Sequence, residues 1–140
     1  MWRQWRVAFE GWNGRPVLLR CDVVRFGLLL CWVAMVGFVI VGSLLPAGSP
    51  MLAAAGRLPL TDKAMHFLAY LGLSVLPVVG FRERRRGLAA GMAMFGLGCM
   101  LEFGQQFSPG RTVDLLDLAA NGAGVGCGVL LAQPVRGWMG

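Results

Sequence analysis

The sequence alternates between long uncharged runs and short clusters of charge. Residues 26–45 read FGLLLCWVAMVGFVIVGSLL, twenty positions without a charged side chain, which is the length a helix needs to cross about 30 Å of hydrocarbon. Three further apolar stretches, residues 64–81, 87–103 and 114–131, are shorter and each carries polar residues. None has the continuous polar face that a helix on the surface of a soluble domain shows. Weakly apolar later spans arise in a bundle whose helices shield polar groups from lipid on their inner faces. The pattern therefore predicts an all-α fold, a four-transmembrane-helix bundle over residues 23–133. A segment of residues 1–22 precedes it and a tail of residues 134–140 follows.

The first dozen residues follow a different pattern. On a helical wheel Trp2, Trp5, Ala8, Phe9 and Trp12 share one arc, and Arg3, Gln4, Arg6 and Glu10 occupy the other side. Tryptophan opposite arginine suits a helix lying in the headgroup layer, so a short amphipathic interfacial helix is predicted, ended by Gly11, Gly14 and Pro16. A cleaved signal peptide is the alternative for this end of the chain. The apolar run of the first span is too long for the usual 7–15-residue signal core and starts too late, which favours a retained span.

Composition agrees with the membrane reading. Hydrophobic residues make up 56% and charged residues 14% of the 140 positions, against about 25% charged in an ordinary soluble domain. The 13 Lys and Arg outnumber the 7 Asp and Glu, for a formal net charge of +6. In a soluble chain that excess would suggest a nucleic-acid partner, but the cations are few, segregated and not interleaved with aromatics, so none is expected. On a four-span topology Arg3, Arg6, Arg15, Arg20, Arg25, Arg82, Arg84, Arg85, Arg86 and Arg136 share one side, and Arg57, Lys63 and Arg111 the other. The positive-inside rule then makes both termini cytoplasmic and reads the RERRR run at 82–86 as a topology determinant in a tight hairpin. A multi-pass protein of the inner (plasma) membrane of a bacterial cell envelope is the expected localisation, with the lipid bilayer as its first partner. The cysteines at 21, 31, 99 and 127 have neither CxxC nor zinc spacing and read as small apolar packing residues.

The hydrophilic residues gather on the extracytoplasmic side of this topology. Asp62, His66 and Tyr70 stand at i, i+4 and i+8 from the start of the second span, beside Lys63. Glu102 and Gln106 are i, i+4 at the end of the third, with Gln105 adjacent. Asp114, Asp117 and Asn121 are i, i+3 and i+7 at the start of the fourth, and Arg111 lies in the loop between. Each helix offers one polar stripe, and stripes that avoid lipid converge. An ionisable group such as Asp117, one turn inside a span, costs on the order of 2.5–3.5 kcal/mol on insertion scales unless it is paired. A polar pocket open to the outside accounts for the cluster. Beyond Asn121 the fourth span continues NGAGVGCGV, and Gly124 and Gly128 extend the Asp117 and Asn121 stripe. Glycine there allows a neighbouring helix to approach closely; a substrate passage along the same face is the alternative.

Taken together, Asp62, Lys63, His66, Phe67 and Tyr70, followed by Glu102, Gln106, Phe107, Pro109, Arg111, Asp114, Asp117, Asn121 and Gly124, resemble the signature of the VanZ-like family of small bacterial membrane proteins. The resemblance covers roughly residues 60–130 and leaves the first span and the tryptophan-rich start outside it. It implies the helical membrane fold and its polar site, and it brings an association with resistance to the glycopeptide teicoplanin; it does not bring a reaction.

Several readings of the cluster remain open at this point. As a structural network, Asp62 would cap the second span, Asp114 would cap the fourth, and Arg111 would pair with Asp114 or Asp117. Capping leaves His66, Glu102, Gln106 and Asn121 unexplained, and the excess of four carboxylates over two fixed cations favours a bound cation or a shared proton. As a binding site, the cluster would hold an outer-leaflet ligand, a lipid-linked wall precursor or an amphipathic antibiotic, with Arg111 and Lys63 on its phosphate or carboxylate. As an enzyme, it would act on a lipid head group through His66 with Glu102 or Asp117, with a divalent metal on the carboxylates. A proton or ion pathway is the weakest, because the inner halves of the spans offer little beyond Ser74 and Cys99. No catalytic residue and no metal ligand is assigned: HExxH is absent, and Thr61, Tyr70, Ser108 and Thr112 lie in no recognisable nucleophile setting. The cofactor is left unspecified. The binding reading is preferred, with the lipid-directed enzyme second.

Overall fold

The computed structural model describes residues 17–57 and 59–138, with side chains from residue 22 onward. The amphipathic helix predicted over residues 1–12 lies outside the described residues. Five helices follow one another: α1 (Val17–Leu44), α2 (Pro50–Ala55), α3 (Asp62–Gly80), α4 (Arg84–Gln105) and α5 (Leu115–Trp138). No strand occurs among the described residues. Four of the helices, α1 from Asp22, α3, α4 and α5, are long and apolar enough to cross a membrane. The fold is all-α, and the chain is a multi-pass membrane protein.

The helices run past the predicted spans, furthest at α1 and α5, and a short helix is added in a loop. Helix α1 starts nine residues before the apolar run, at Val17, because charged residues can continue a helix into the headgroup layer without breaking its backbone pattern. Helix α5 runs on past residue 131, through Pro134, to Trp138. The 46–62 loop contains α2, whose start carries ordinary helix signals: Ser49 Oγ accepts the Leu52 N–H at 3.4 Å and Pro50 takes the first position.

Helix α3 is the centre of the bundle, between stripes of glycine on α4 and α5. A Cβ at Gly87 would stand 3.0 Å from the Pro77 carbonyl oxygen, one at Gly91 3.2 Å from the Ser74 carbonyl oxygen, and one at Gly98 3.0 Å from the Tyr70 ring. On the other flank, a Cβ at Gly124 would stand 2.4 Å from the Phe67 carbonyl oxygen and one at Gly128 2.6 Å from that of Leu71. Lipid is as apolar as leucine, so close backbone approach of this kind holds membrane helices together where burial of apolar side chains cannot. Leu73, Val78 and Val125 fill the fully buried middle. Phe26, Val33, Phe103 and Leu130 face outward, as a lipid-facing surface requires.

Polar contacts close both ends. At one end Ser108 Oγ donates to the Leu44 carbonyl at 2.8 Å and the Ala47 N–H donates to the Pro109 carbonyl at 3.3 Å, fastening α1 to the α4–α5 loop. That loop turns at Gly110, whose φ of 76° suits glycine. At the other end Arg82 pairs with Asp22, and Arg136 Nη1 donates to the carbonyls of Val78 and Phe81 at 2.7 and 2.6 Å. Arg136 thereby satisfies the terminal carbonyls of α3 that no helical N–H reaches. The end at which α1 and α4 finish and α3 and α5 begin carries the polar cluster.

Candidate functional site

Helix starts place the acidic residues. Thr61, not Asp62, caps α3: its Oγ1 accepts the Ala64 N–H at 3.2 Å. The Asp62 side chain, 58% exposed, is thus left to face His66 one turn on. Asp114 does cap α5, its Oδ1 accepting the Leu116 N–H at 2.8 Å, while its own N–H donates to Glu102 Oε1 at 2.8 Å.

The cation that meets these carboxylates is Lys63. Its ammonium pairs with Asp114 Oδ2 and, at 2.5 Å, with Asp117 Oδ1. This replaces the Arg111 pairing expected from the sequence, and the reason is the path of the loop. Arg111 is turned toward α1, where Nη2 donates to the Gly42 carbonyl at 3.3 Å; its buried Nε has no hydrogen-bond partner among the described residues. The Lys63 ammonium, and after it the Leu116 N–H, hold the Asp114 carboxyl below the usual carboxylate value.

His66 stands between α3 and α5. Its Nδ1 lies 3.0 Å from Asn121 Oδ1. An amide oxygen only accepts, so Nδ1 donates to it, and this contact turns Nε2 the other way. That nitrogen faces Asp117 Oδ2 at 3.9 Å and Asp62 Oδ2 at 4.0 Å. Asn121 is itself 1% exposed, and Asp117 and Glu102 are also buried.

In front of this network is a cavity of about 780 Å³ between α1, α2 and α3. Its apolar wall includes Phe38, Val39, Met51 and Leu52, and its polar wall Asp62, His66, Tyr70, Gln105 and Arg111. The residues singled out from the sequence thus divide. Asp62, His66, Tyr70 and Arg111 reach the cavity, whereas Lys63, Glu102, Asp114, Asp117 and Asn121 form the linked network behind it. Gln106 is exposed at the end of α4 and joins neither group, whereas its neighbour Gln105 is buried on the cavity wall. The i, i+3 spacing from Glu102 to Gln105 would have indicated this choice as readily as the i, i+4 spacing to Gln106. Gly124 and Gly128 lie behind the site, against α3. The glycines of α4 had no polar stripe to draw attention to them. Cys31, Cys99 and Cys127 are free and lie outside the polar network.

With this arrangement in hand, comparison with known proteins gives one positive result. The family model described as VanZ/LLP1 matches residues 26–136. The chain belongs to the VanZ/LLP1 family. The match includes α1 from Phe26, which the motif resemblance over residues 60–130 left outside, and it contains every residue of the polar cluster. No curated protein and no solved structure matches the chain.

Proposed function

We propose that this VanZ/LLP1 protein is a cell-envelope protein of the bacterial inner membrane with both termini in the cytoplasm. Its extracytoplasmic cavity binds an amphipathic outer-leaflet molecule, a lipid-linked wall precursor or a glycopeptide-type antibiotic. One observation carries this reading. The cavity joins an apolar wall of membrane-helix side chains to a guanidinium whose Nε has no partner and is buried. A tail packs on Phe38, Val39 and Leu52, while Arg111 takes the phosphate or carboxylate that the tail carries. Lys63 is occupied by two carboxylates and serves the scaffold, so the anion contact falls to Arg111 alone. The association of the family with glycopeptide resistance supports the same ligand class.

A second reading, a membrane-embedded enzyme acting on a lipid head group, is favoured by the position of His66 on the cavity wall with Nε2 in no hydrogen bond among the described residues. It assigns His66 as general base to a water.

The test uses the full chain in detergent micelles, a polyprenyl phosphate and a lipoglycopeptide, with binding read by native mass spectrometry. One molecule per chain is expected, with at least tenfold weaker binding in Arg111→Gln and in Leu52→Trp, which fills the apolar wall. Equal binding in both variants and the parent would overturn the cavity as the site. Release of a head-group product during incubation, lost in His66→Gln, would decide for the enzyme.

A further inference from the structure

Asp62, His66 and Asp117 each present one ligand atom, and the three atoms lie within 4.8 Å of one another. We infer that these three side chains hold a divalent cation of the zinc or manganese class at the wall of the cavity. The inference concerns an ion and stands without the lipid ligand.

Distance is the first support. His66 Nε2 is 3.9 Å from Asp117 and 4.0 Å from Asp62, beyond the 2.7–3.2 Å of an N–H···O hydrogen bond. The imidazole therefore does not share a proton directly with either carboxylate. Two ligands that each sit about 2.1 Å from one ion stand roughly 3.4–4.2 Å apart, depending on the angle between them. The two separations from His66 Nε2 fall in that interval, toward its wide end.

The second support lies outside the three ligands. Asn121, fully buried on α5, accepts from Nδ1 of His66 and so fixes both the tautomer and the direction of the ring. A buried carbonyl that holds the far nitrogen of a histidine and aims the near one at the site is the support that metal-binding histidines characteristically have. Nε2 is thus aimed at two carboxylate oxygens that stand too far off for a hydrogen bond.

Charge gives the third. Asp62, Glu102, Asp114 and Asp117 carry four negative charges at this end of a membrane bundle, and Lys63 and Arg111 return two. A divalent cation balances the remainder. Lys63 occupies Oδ1 of Asp117, which leaves Oδ2 for the ion. One imidazole nitrogen and two carboxylate oxygens suit zinc or manganese better than a soft metal, and three protein ligands leave at least one position for water or substrate. Asp62 and His66 both line the cavity, so that position opens there.

The experiment titrates the chelator-stripped full chain in detergent with Mn2+, read as loss of the free-ion electron paramagnetic resonance signal, and with Zn2+, read by calorimetry. One ion per chain is expected. His66→Gln and Asp62→Asn should each weaken uptake at least tenfold, and Asn121→Ala about tenfold, while Glu83→Gln at the opposite end of the bundle changes nothing. Asp62 is exposed in the first turn of α3, so Asp62→Asn keeps the fold, which helical circular dichroism and a single elution peak verify. Failure of both ions to saturate would overturn the site, and so would saturation that is equally tight in His66→Gln and Asp62→Asn. The first outcome would leave the imidazole between two carboxylates as a purely electrostatic feature; the second would mark an ion bound elsewhere. Neither bears on the lipid titration, which is read with a different probe.

Discussion

Glu102 Oε1 accepts the backbone N–H of Asp114 at 2.8 Å, across twelve residues of chain. The same Asp114 caps α5 through Leu116 and pairs with Lys63 on α3. One residue thus fastens the end of α4, the start of α5 and the start of α3, and the α4–α5 loop has little freedom to place Arg111 anywhere but toward α1. Because Glu102 is only 3% exposed, truncating it leaves a partly buried N–H without its acceptor and a space in a buried site. Glu102→Ala should cost about 2–3 kcal/mol in thermal or denaturant unfolding in detergent, whereas Glu102→Gln, which keeps an accepting oxygen, should cost about 1 kcal/mol or less. Equal losses for the two would show that the carboxylate charge, and not the hydrogen bond, is what Asp114 needs.

Lys63 stands between two carboxylates, one of them buried. Removing it should therefore be worse than altering its shape. Lys63→Met is expected to lower the unfolding midpoint more than Lys63→Arg, and adding Asp117→Asn to Lys63→Met should restore part of the loss, because the uncompensated buried charge goes with it. The pH dependence has a definite sign. The Asp114 carboxyl is held below its ordinary value of 3.8 in the folded protein, chiefly by the Lys63 hydrogen bond. A lowered folded value means that this contribution is complete above the ordinary value and disappears as pH falls through the folded one. The gap in unfolding midpoint between the parent and Asp114→Asn should be constant at neutral pH and close only below about pH 4. A gap that closes near neutrality would point to a different group.

How much of this was legible beforehand differs from element to element. The four spans were, because lipid forbids charge over a fixed length and the sequence shows where charge is missing. The boundaries of α1 were not: Arg20, Asp22 and Arg25 interrupt hydropathy without interrupting a helix, and Asp22 has Arg82 to pair with. The polar stripes were legible as stripes, since helical spacing fixes which side chains share a face. Partners within the cluster were not. Whether Asp117 meets Lys63 or Arg111 depends on the turn at Gly110 and on Ser108 reaching Leu44, and these are tertiary contacts that no spacing encodes. The juxtaposition of Asp62, His66 and Asp117 depends in the same way on how α3 and α5 are phased against each other.

On the proposed topology, arginine sets which end of the bundle faces the cytoplasm. Arg82, Arg84, Arg85, Arg86 and Arg136 lie at the end opposite the polar site, with Arg82 and Arg136 bound to α1 and α3 there. A phosphatase reporter fused after Gly140 should be inactive and a cytoplasmic fluorescent reporter at the same place active, with the reverse for insertions after Gly56. Replacing Arg84, Arg85 and Arg86 with glutamine should produce a mixture of orientations, since the bias on this hairpin is reduced while Arg82 remains. Phosphatase activity at Gly140 in the parent would require an odd number of spans or the opposite orientation, and the cavity would then open inward.

The α3–α5 contact makes the sharpest demand on residue size. A Cβ at Gly128 would stand 2.1 Å from Ser74 Oγ and 2.6 Å from the Leu71 carbonyl oxygen; one at Gly124 would stand 2.4 Å from the Phe67 carbonyl oxygen. Gly126, between them in sequence, has nothing within 4 Å of its Cβ position. Gly124→Ala and Gly128→Ala should each destabilise the bundle by about 1–3 kcal/mol, and Gly126→Ala should fall within about 0.5 kcal/mol of the parent. Ser74 can be trimmed but the Leu71 backbone cannot. Ser74→Ala combined with Gly128→Ala should therefore recover only part of the loss, and no further side-chain substitution on α3 should recover the rest. The consequence reaches the site, because Asp117 and Asn121 lie on the same face of α5 as these glycines. Pushing α5 away from α3 at Gly124 separates Asn121 from His66, so Gly124→Ala should weaken Mn2+ uptake even in protein that remains folded. Full uptake in a destabilised Gly124→Ala protein would mean that the helix pair yields below the site and that His66 is positioned by α3 alone.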